Sequence, residues 1–389
     1  MTSWKIYKLS EIANISTGFP FAGEKYAKEG IRVVRGDNVT IGALRWDYDK
    51  LKCWNEPFAR ADEFSLMSGD IVVGMDGSRV GLNRAQVKET DLPLLLAQRV
   101  ACIRHNEKTT QDFLYYQIFS ERFVKYIKQV QTGTSIPHVS LKQIGGFEVS
   151  LPSLEQQQRI AGILGAIDDK IENNRRINDN LEQQAQALFD EWFVNDSTQP
   201  AEYNRASLTD IANYLNGLAM QRFRPQSDEK AIPVLKIKEL GQGMCDSSSD
   251  ICSQSIDSKY IVNDGDIIFS WSGTLLVDIW CGGICGLNQH LFKVTSDKYP
   301  KWFVYYWTKY HLAKFIRIAK DKAVTMGHIK RGDLETSEVL IPNAEILSKM
   351  DNIIAPIFDA IISRRVENKT LATLRDTLLP KLMNGEIKL

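Results

Sequence analysis

The residues in this sequence best equipped for a chemical task are hydrogen-bond donors and acceptors, not nucleophiles. In the first half, Arg35 and Asn38 close an apolar run, Ser78 and Arg79 follow Gly77, and Thr134, Ser135 and His138 share a short polar stretch. The second half offers Lys236 and Lys238, then Ser272 and Thr274 around Gly273, then Thr325 and His328. Hydroxyl, imidazole and ammonium groups serve phosphate oxygens, arginine pairs bidentately with guanine, and asparagine or glutamine with adenine. Gln98 and Gln289 have the adenine option too, although their apolar flanks read as strand, where a structural role is the plainer one. Glycine beside such groups lets backbone approach a ligand closely. Basic charge is clustered nearby: Lys125 and Lys128 with Arg122 and Lys142, and Lys320, Lys322 and Lys330 with Lys314, Arg317 and Arg331. A phosphate-facing surface has this make-up. A solvated helix face has it as well, and turn hydrogen bonding is the bland role for the loop hydroxyls.

Catalytic signatures do not accompany these groups. The sequence has no Gly-x-x-x-x-Gly-Lys-Ser/Thr, no Gly-x-Gly-x-x-Gly after a strand, no His-Glu-x-x-His, and no two adjacent prolines to form the Asn-Pro-Pro-aromatic signature of adenine methylation. Acid pairs such as Asp264 and Asp266 have turn explanations. The six cysteines read as reduced structural thiols, because Cys281-Gly-Gly-Ile-Cys285 lacks a second ligand pair at finger spacing, so no metal site is expected. The formal net charge is zero, which puts the weight of any nucleic-acid reading on local clustering. No apolar run approaches a membrane span, and the N-terminus lacks the pattern of a signal peptide, so no membrane is expected and the expected location is the cytoplasm. Six tryptophans, Trp46, Trp54, Trp271, Trp280, Trp302 and Trp307, have rings that can stack on bases, with core packing the plainer expectation.

The elements that must position these residues are written twice. From Leu154 to Val194 apolar or seam-compatible residues fall at Ile160, Ile163, Ile167, Ile171, Asn174, Asn178, Leu181, Ala185, Leu188 and Trp192. Steps of three and four predict one long helix with coiled-coil-like spacing. The same spacing returns near the C-terminus at Met350, Ile353, Ile357, Ile361, Arg364, Asn368, Leu371, Arg375, Leu378 and Leu382. Such a rod, of roughly 55 Å at 1.5 Å per residue, exposes an apolar stripe that needs a partner, and the other copy is the obvious one. Pro356 is expected to kink the second rod or to begin a new helix there.

The repeat reaches beyond the rods. Leu9-Ser-Glu-Ile-Ala-Asn14 returns as Leu208-Thr-Asp-Ile-Ala-Asn213, with Gly18 and Gly217 following. Gly69-Asp-Ile-Val-Val-Gly74 returns as Gly265-Asp-Ile-Ile-Phe-Ser270, a turn-into-strand signal followed each time by a glycine loop. Strands through Ala97-Gln98-Arg99 and Asn288-Gln289-His290 come next, then aromatic helices over Phe113–Gln131 and Trp302–Lys320. The resulting plan is α+β, half-domain, rod, half-domain, rod, with boundaries near residues 152, 195 and 342 and a linker by composition from Asn195 to Ala206. Antiparallel rods would close it with pseudo-twofold symmetry, and two related but non-identical readers would imply two different half-sites at a fixed separation.

Four motifs give the plan a family. Thr132-Gly-Thr-Ser-Ile-Pro-His138, Val149-Ser-Leu-Pro-Ser-Leu-Glu-Gln-Gln-Gln-Arg-Ile160, Asn180-Leu-Glu-Gln-Gln-Ala-Gln-Ala-Leu-Phe189 and the tail Leu374-Arg-Asp-Thr-Leu-Leu-Pro-Lys-Leu-Met-Asn-Gly-Glu-Ile387 make the chain resemble the specificity subunit of type I restriction–modification enzymes over its whole length. Pro342-Asn-Ala-Glu-Ile-Leu departs from the pattern by lacking the Glu-Gln-Gln run. The resemblance implies two tandem mixed α/β target recognition domains, residues 1–152 and 196–342. A spacer helix (153–195) and a second spacer helix with C-terminal tail (343–389) would pair as an antiparallel coiled coil. It further implies a non-catalytic subunit that reads a bipartite, asymmetric site on double-stranded DNA. Two methylation subunits and the restriction/translocase subunits would be its partners, and AdoMet, ATP and Mg²⁺ would reside on them, leaving this chain without a cofactor. A rod scaffold without sequence readout, and a nuclease with an unfamiliar site, are the competing expectations.

Overall fold

The computed structural model describes residues 4–47, 49–58, 60–133, 135–195, 203–321, 328–387 and 389. The chain divides into two compact units, Met1–Asp168 with Thr373–Leu389, and Asp169–Ala372.

The first unit begins with β1 (Lys5–Lys8), the short helix α1 (Leu9–Ile12) and β2 (Ala13–Thr17), followed by β3 (Ile31–Val34), β4 (Cys53–Trp54), β5 (Ile71–Gly74), β6 (Arg84–Gln86), β7 (Leu94–Leu96) and β8 (Val100–His105). Helices α2 (Gln111–Ile118), α3 (Glu121–Val130) and α4 (Leu141–Gly145) lead to β9 (Glu148–Leu151) and the long α5 (Leu154–Phe193). The strands form a four-stranded sheet in the order β2-β8-β5-β6, a three-stranded sheet β4-β3-β7, and the pair β1-β9. The β3–β7 pairing is parallel and the rest are antiparallel.

The unbroken apolar run Ile71-Val-Val is explained by burial on both sides of β5. Ile71 and Val73 join Ala101 and Ile103 under the helices, while Val72 faces Val34, Leu94, Leu96 and Val100 of the second sheet layer. Strands buried on both faces read as continuous hydrophobic runs. The start of α5 closes the helical side with Ile160, Ala161 and Leu164, and the tail brings Leu382 and Met383 into the same core. Gln157, fully buried, explains the glutamine-rich start of that helix: its Nε2 donates to the carbonyls of Lys108 and Pro152, both at 3.0 Å, and its Oε1 accepts from the Thr110 amide.

The second unit repeats the scheme. It contains β10 (Asn204–Ser207), α6 (Leu208–Ile211), β11 (Asn213–Asn216), β12 (Ala231–Leu235), α7 (Ile237–Gln242), β13 (Ile251–Ser253), β14 (Ile261–Val262), β15 (Ile267–Ser270), β16 (Leu276–Ile279), β17 (Cys285–Leu287) and β18 (Leu291–Thr295). After these come α8 (Lys301–Tyr310), α9 (Leu312–Asp321), α10 (Arg331–Glu335), β19 (Glu338–Ile341) and the long α11 (Ala344–Met383). Its sheets run β11-β18-β15-β16, β13-β12-β17-β14 and β10-β19, the first unit's order with β14 added. An aromatic core forms where Phe189 and Phe193 of α5 meet Trp302, Phe303, Tyr306 and Trp307 of α8 and Phe358 of α11.

Within the second unit α5 and α11 run antiparallel. Asn178 donates to the Ile361 carbonyl (3.2 Å), Asn368 to that of Ile171 (3.3 Å), and Asn174 to Glu367 (2.8 Å) and Asn368 (2.9 Å). Buried asparagine amides of this kind fix register at some cost in stability.

Several expectations need correcting. Ile163 and Ile353, expected in the seam, are 38% and 52% exposed, and the next residues, Leu164 and Ile354, are buried instead. The first turns of each rod pack on their own domain, whose face lies one residue round from a strict seven-residue stripe, because a straight helix repeats every 3.6 residues. Ile160, Ile171 and Ile361 are buried as expected, while Ile167, Leu181, Leu188, Ile357, Leu371 and Leu378 are half-buried. Pro356 does not begin a new helix, since α11 runs through it. The two aromatic helices are each a pair, α2 with α3 and α8 with α9. Ala97-Gln98-Arg99 and Asn288-Gln289-His290 are tight turns rather than strands, closed by Val100 N–H to Ala97 O (3.1 Å) and Leu291 N–H to Asn288 O (3.0 Å). No helix among the described residues is long and apolar enough to cross a membrane.

Candidate nucleic-acid interface

Each unit builds one loop frame with the same backbone bonds. In the first, the chain leaving β2 is held by Phe19 N–H to Leu96 O (2.9 Å), the turn after β7 by Met75 N–H to Arg99 O (3.1 Å), and the histidine loop by Val139 N–H to Met75 O (2.9 Å). In the second, Leu218 N–H bonds Leu287 O (3.0 Å), Trp271 N–H bonds His290 O (3.4 Å) and Ile329 N–H bonds Trp271 O (3.2 Å). The repeated glycines fit this frame closely. A Cβ on Gly18 would lie 1.9 Å from Leu96 O and one on Gly217 2.2 Å from Asn288 O, so neither site admits a side chain. The frame thereby brings together the glycine loop after β5 or β15, the two-residue turn, and the histidine loop.

Different side chains stand on that frame. In the first unit the Asp76 carboxylate sits between two cations or potential cations: Oδ1 is hydrogen-bonded to His138 Nδ1, and Oδ2 lies 3.4 Å from the Arg99 guanidinium. The Gly77 amide donates to Pro137 O (3.0 Å), which ties the Ser78–Arg79 tip to the histidine loop that carries Ser135. These tips border a cleft of about 840 Å³ lined by Phe19, Phe21, Tyr26, Arg35, Asp37, Arg45, Asp76, Ser78, Arg79, Gln98 and Arg99, among others. Four arginines against two aspartates make this cleft anion-seeking. The Arg79 guanidinium has no hydrogen bond or ion pair among the described residues, and Arg35 lies 5.6 Å over the Tyr26 ring. Burial pushes the Tyr26 hydroxyl up from its ordinary pKa, with Arg35 opposing, so it stays a neutral donor at physiological pH.

In the second unit Ser272 and His290 replace Asp76 and Arg99, with Oγ and Nδ1 3.1 Å apart, and the backbone of His328 pairs with that of Ser272 as the backbone of His138 pairs with that of Asp76. Trp271 stands beside both imidazoles and donates from Nε1 to Asn216 (3.0 Å). Exposed Thr274 lies on the glycine loop, and exposed Lys330 follows the histidine loop at the start of α10.

The structure therefore gathers Arg35, Ser78, Arg79, Ser135 and His138 in one unit, and Ser272, Thr274, His328 and Lys330 in the other. Lys125, Lys128 and Lys320 are exposed on α3 and α9, Lys125 being paired with Glu121 at 3.3 Å. Thr134, Lys322 and Thr325 lie outside the described residues. Asn38 is corrected: it is fully buried, donating to the Arg45 and Lys50 carbonyls and accepting from the Arg35 amide, so it shapes a turn and faces no ligand. Lys236 and Lys238 spend their charge locally, on Asp250 and on Ser248 and Asp246. Ser272 is buried to 6% exposure, with its hydroxyl against His290 Nδ1. Of the tryptophans, Trp54, Trp280, Trp302 and Trp307 are core residues, Trp46 packs under Arg32, and Trp271 alone of the six borders the frame. The sequence reading missed Arg99, His290 and Arg45. A signal existed for the first two, since a pair of polar residues between two short apolar runs marks a two-residue turn.

Residues 1–183 and 200–375 each match the family model described as type I restriction modification DNA specificity domain. The chain is 28% identical over 320 residues, 76% of its own length and 73% of the relative's, to the type I restriction enzyme MjaIX specificity subunit of Methanocaldococcus jannaschii. It is 22% identical along the full length of both chains to the HindI specificity subunit of Haemophilus influenzae. The crystal structure of a type I restriction-modification system S subunit from M. genitalium shares the fold, with a TM-score of 0.60 over 98% of this chain and 96% of that one at 16% identity. The chain thus belongs to the type I restriction–modification DNA specificity family, and carries the family's domain twice.

Proposed function

We infer that this chain reads a bipartite, asymmetric site on double-stranded DNA, one half with each unit, as the sequence-specificity subunit of a type I restriction–modification complex. The observation that supports this most is one loop frame built twice under different side chains: Asp76, Arg99 and His138 in one copy, Ser272, His290 and His328 in the other. Two copies of one reader with different tips suit two half-sites of different sequence. Ser135 and Lys330, with the exposed Lys125, Lys128 and Lys320, serve as phosphate contacts, and Lys322, Thr134 and Thr325 are assigned the same role from their residue types. The antiparallel α5 and α11 act as a coiled-coil spacer and as the platform for two methylation subunits and the restriction/translocase subunits. AdoMet, ATP and Mg²⁺ act on those partners, and this chain supplies recognition without catalysis.

The test is selection of randomised duplexes by the full chain with its methylation subunit, followed by a salt titration of the selected duplex. A bipartite motif is expected, with affinity falling about 10³-fold or more between 50 and 200 mM salt for six or more phosphate contacts. Replacing Lys320, Lys322 and Lys330 together by glutamine is expected to lower the salt slope by about three without altering the motif. Weak binding that selects no motif and ignores those substitutions would support a scaffold without readout.

A further inference from the structure

The two units differ at the second central residue of the tight turn, and the difference is one of hydrogen-bonding geometry. Arg99 leaves the frame with its side chain 67% exposed, tethered at one guanidinium nitrogen to Asp76. The carboxylate cannot swing freely, because its other oxygen is held by His138 and its backbone is bridged to the histidine loop. One guanidinium nitrogen therefore rests 3.4 Å from a fixed carboxylate, and the rest of the planar fork is unpaired among the described residues. A planar fork of this kind matches the O6 and N7 acceptors of guanine in the major groove, which a point charge does not. At the equivalent turn of the second unit stands His290, hydrogen-bonded to neutral Ser272, with neither the fork nor the orienting carboxylate. Gln98 and Gln289 precede them in the same turn position, so of the two central turn residues only the second differs.

We propose that Arg99 is the guanine-specifying residue of the first unit, that Asp76 is its positioning residue, and that the Arg99–Asp76 pair is what makes the two half-sites differ at the base facing the turn. This rests on the DNA-reading function above and names the base class for one of its contacts.

The experiment maps methylated motifs in cells carrying the methylation subunit with the wild-type chain, Arg99→Ala, Arg99→Lys, Asp76→Asn, Asp76→Glu, or the double change Arg99→His with Asp76→Ser. Wild type is expected to show a guanine in one half-site that Arg99→Ala makes degenerate, lowering discrimination there by about 10- to 100-fold while leaving every other position intact. Arg99→Lys is expected to lose most of the preference, and the double change to lose it entirely. Asp76→Asn is expected to weaken it at that same position, with Asp76→Glu restoring it, a pattern that a general loss of folding would not give. An unchanged motif in Arg99→Ala, with a salt slope lowered by about one, would make Arg99 a phosphate contact and overturn the proposal. Asp76→Asn with wild-type discrimination would overturn the positioning role. No bipartite motif from wild type would sink the DNA-reading function itself, and this proposal with it.

Discussion

Inserting one heptad into both long helices, between residues 173 and 174 and between residues 367 and 368, is expected to lengthen the unread gap of the DNA site and leave both half-sites unchanged. The two cuts lie opposite each other in the antiparallel pairing. They keep the Asn174–Glu367 bond on one side and the Asn368–Ile171 bond on the other. Seven residues add about 10 Å of helix, which corresponds to about three base pairs at about 3.4 Å each. A seven-residue insertion also returns the helix to nearly the same phase, about 20° away, so the buried asparagines keep facing the partner helix. The check is the methylated motif of the lengthened chain in complex with its methylation subunit. Retention of the original gap would mean that something other than the helices sets the spacing.

Removing the Arg365 side chain is expected to give a large stability loss in the second unit. Arg365 of α11 reaches Glu182 of α5 at 2.7 Å, Asp278 of β16 at 2.8 Å and the Ile279 carbonyl at 3.2 Å, and so ties both rods to the recognition sheet of that unit. Burial by itself would lower the guanidinium pKa, but Asp278 and Glu182 outweigh it and hold the group above the ordinary arginine value. Arg365→Ala strands two half-buried carboxylates without a counter-charge, at a cost of about 3 kcal/mol. For a unit of about 200 residues that lowers the melting temperature by roughly 6–12 °C. Adding Glu182→Gln and Asp278→Asn is expected to recover more than half of the loss, because the charges left behind are then gone. A loss below about 1 kcal/mol for Arg365→Ala would place this cluster with ordinary exposed ion pairs.

The long helices were legible because a stripe of apolar residues at steps of three and four survives in any sequence that must bury one helix face, and its double occurrence exposed the repeat. The phase at the helix starts was not, since Ile163 and Leu164 are equally apolar and only the domain beneath decides which one turns inward. The glycine loops announced themselves through Gly77 and Gly273, and the histidine loops through a polar run in both halves. Asn38 misled because a polar residue after a strand looks like a surface donor, whereas its amide is sealed by carbonyls 7 and 12 residues further along the chain. Arg99 was hidden by the reverse problem: Leu94-Leu-Leu-Ala and Val100-Ala-Cys-Ile read as one strand unless the two polar residues between them are taken as a turn. Contacts such as Arg365 with Glu182, 183 positions apart, leave no trace in local pattern.

The measurement that bears most directly on two independent readers is an exchange. Residues 1–152 are replaced by the corresponding stretch of another family member, and the methylated motif is mapped in cells that also carry the methylation subunit. The expected result is a new bipartite motif in which one half-site changes while the other half-site and the gap are retained. A motif in which both halves change, or no motif from an intact complex, would contradict the assignment of one half-site to each unit.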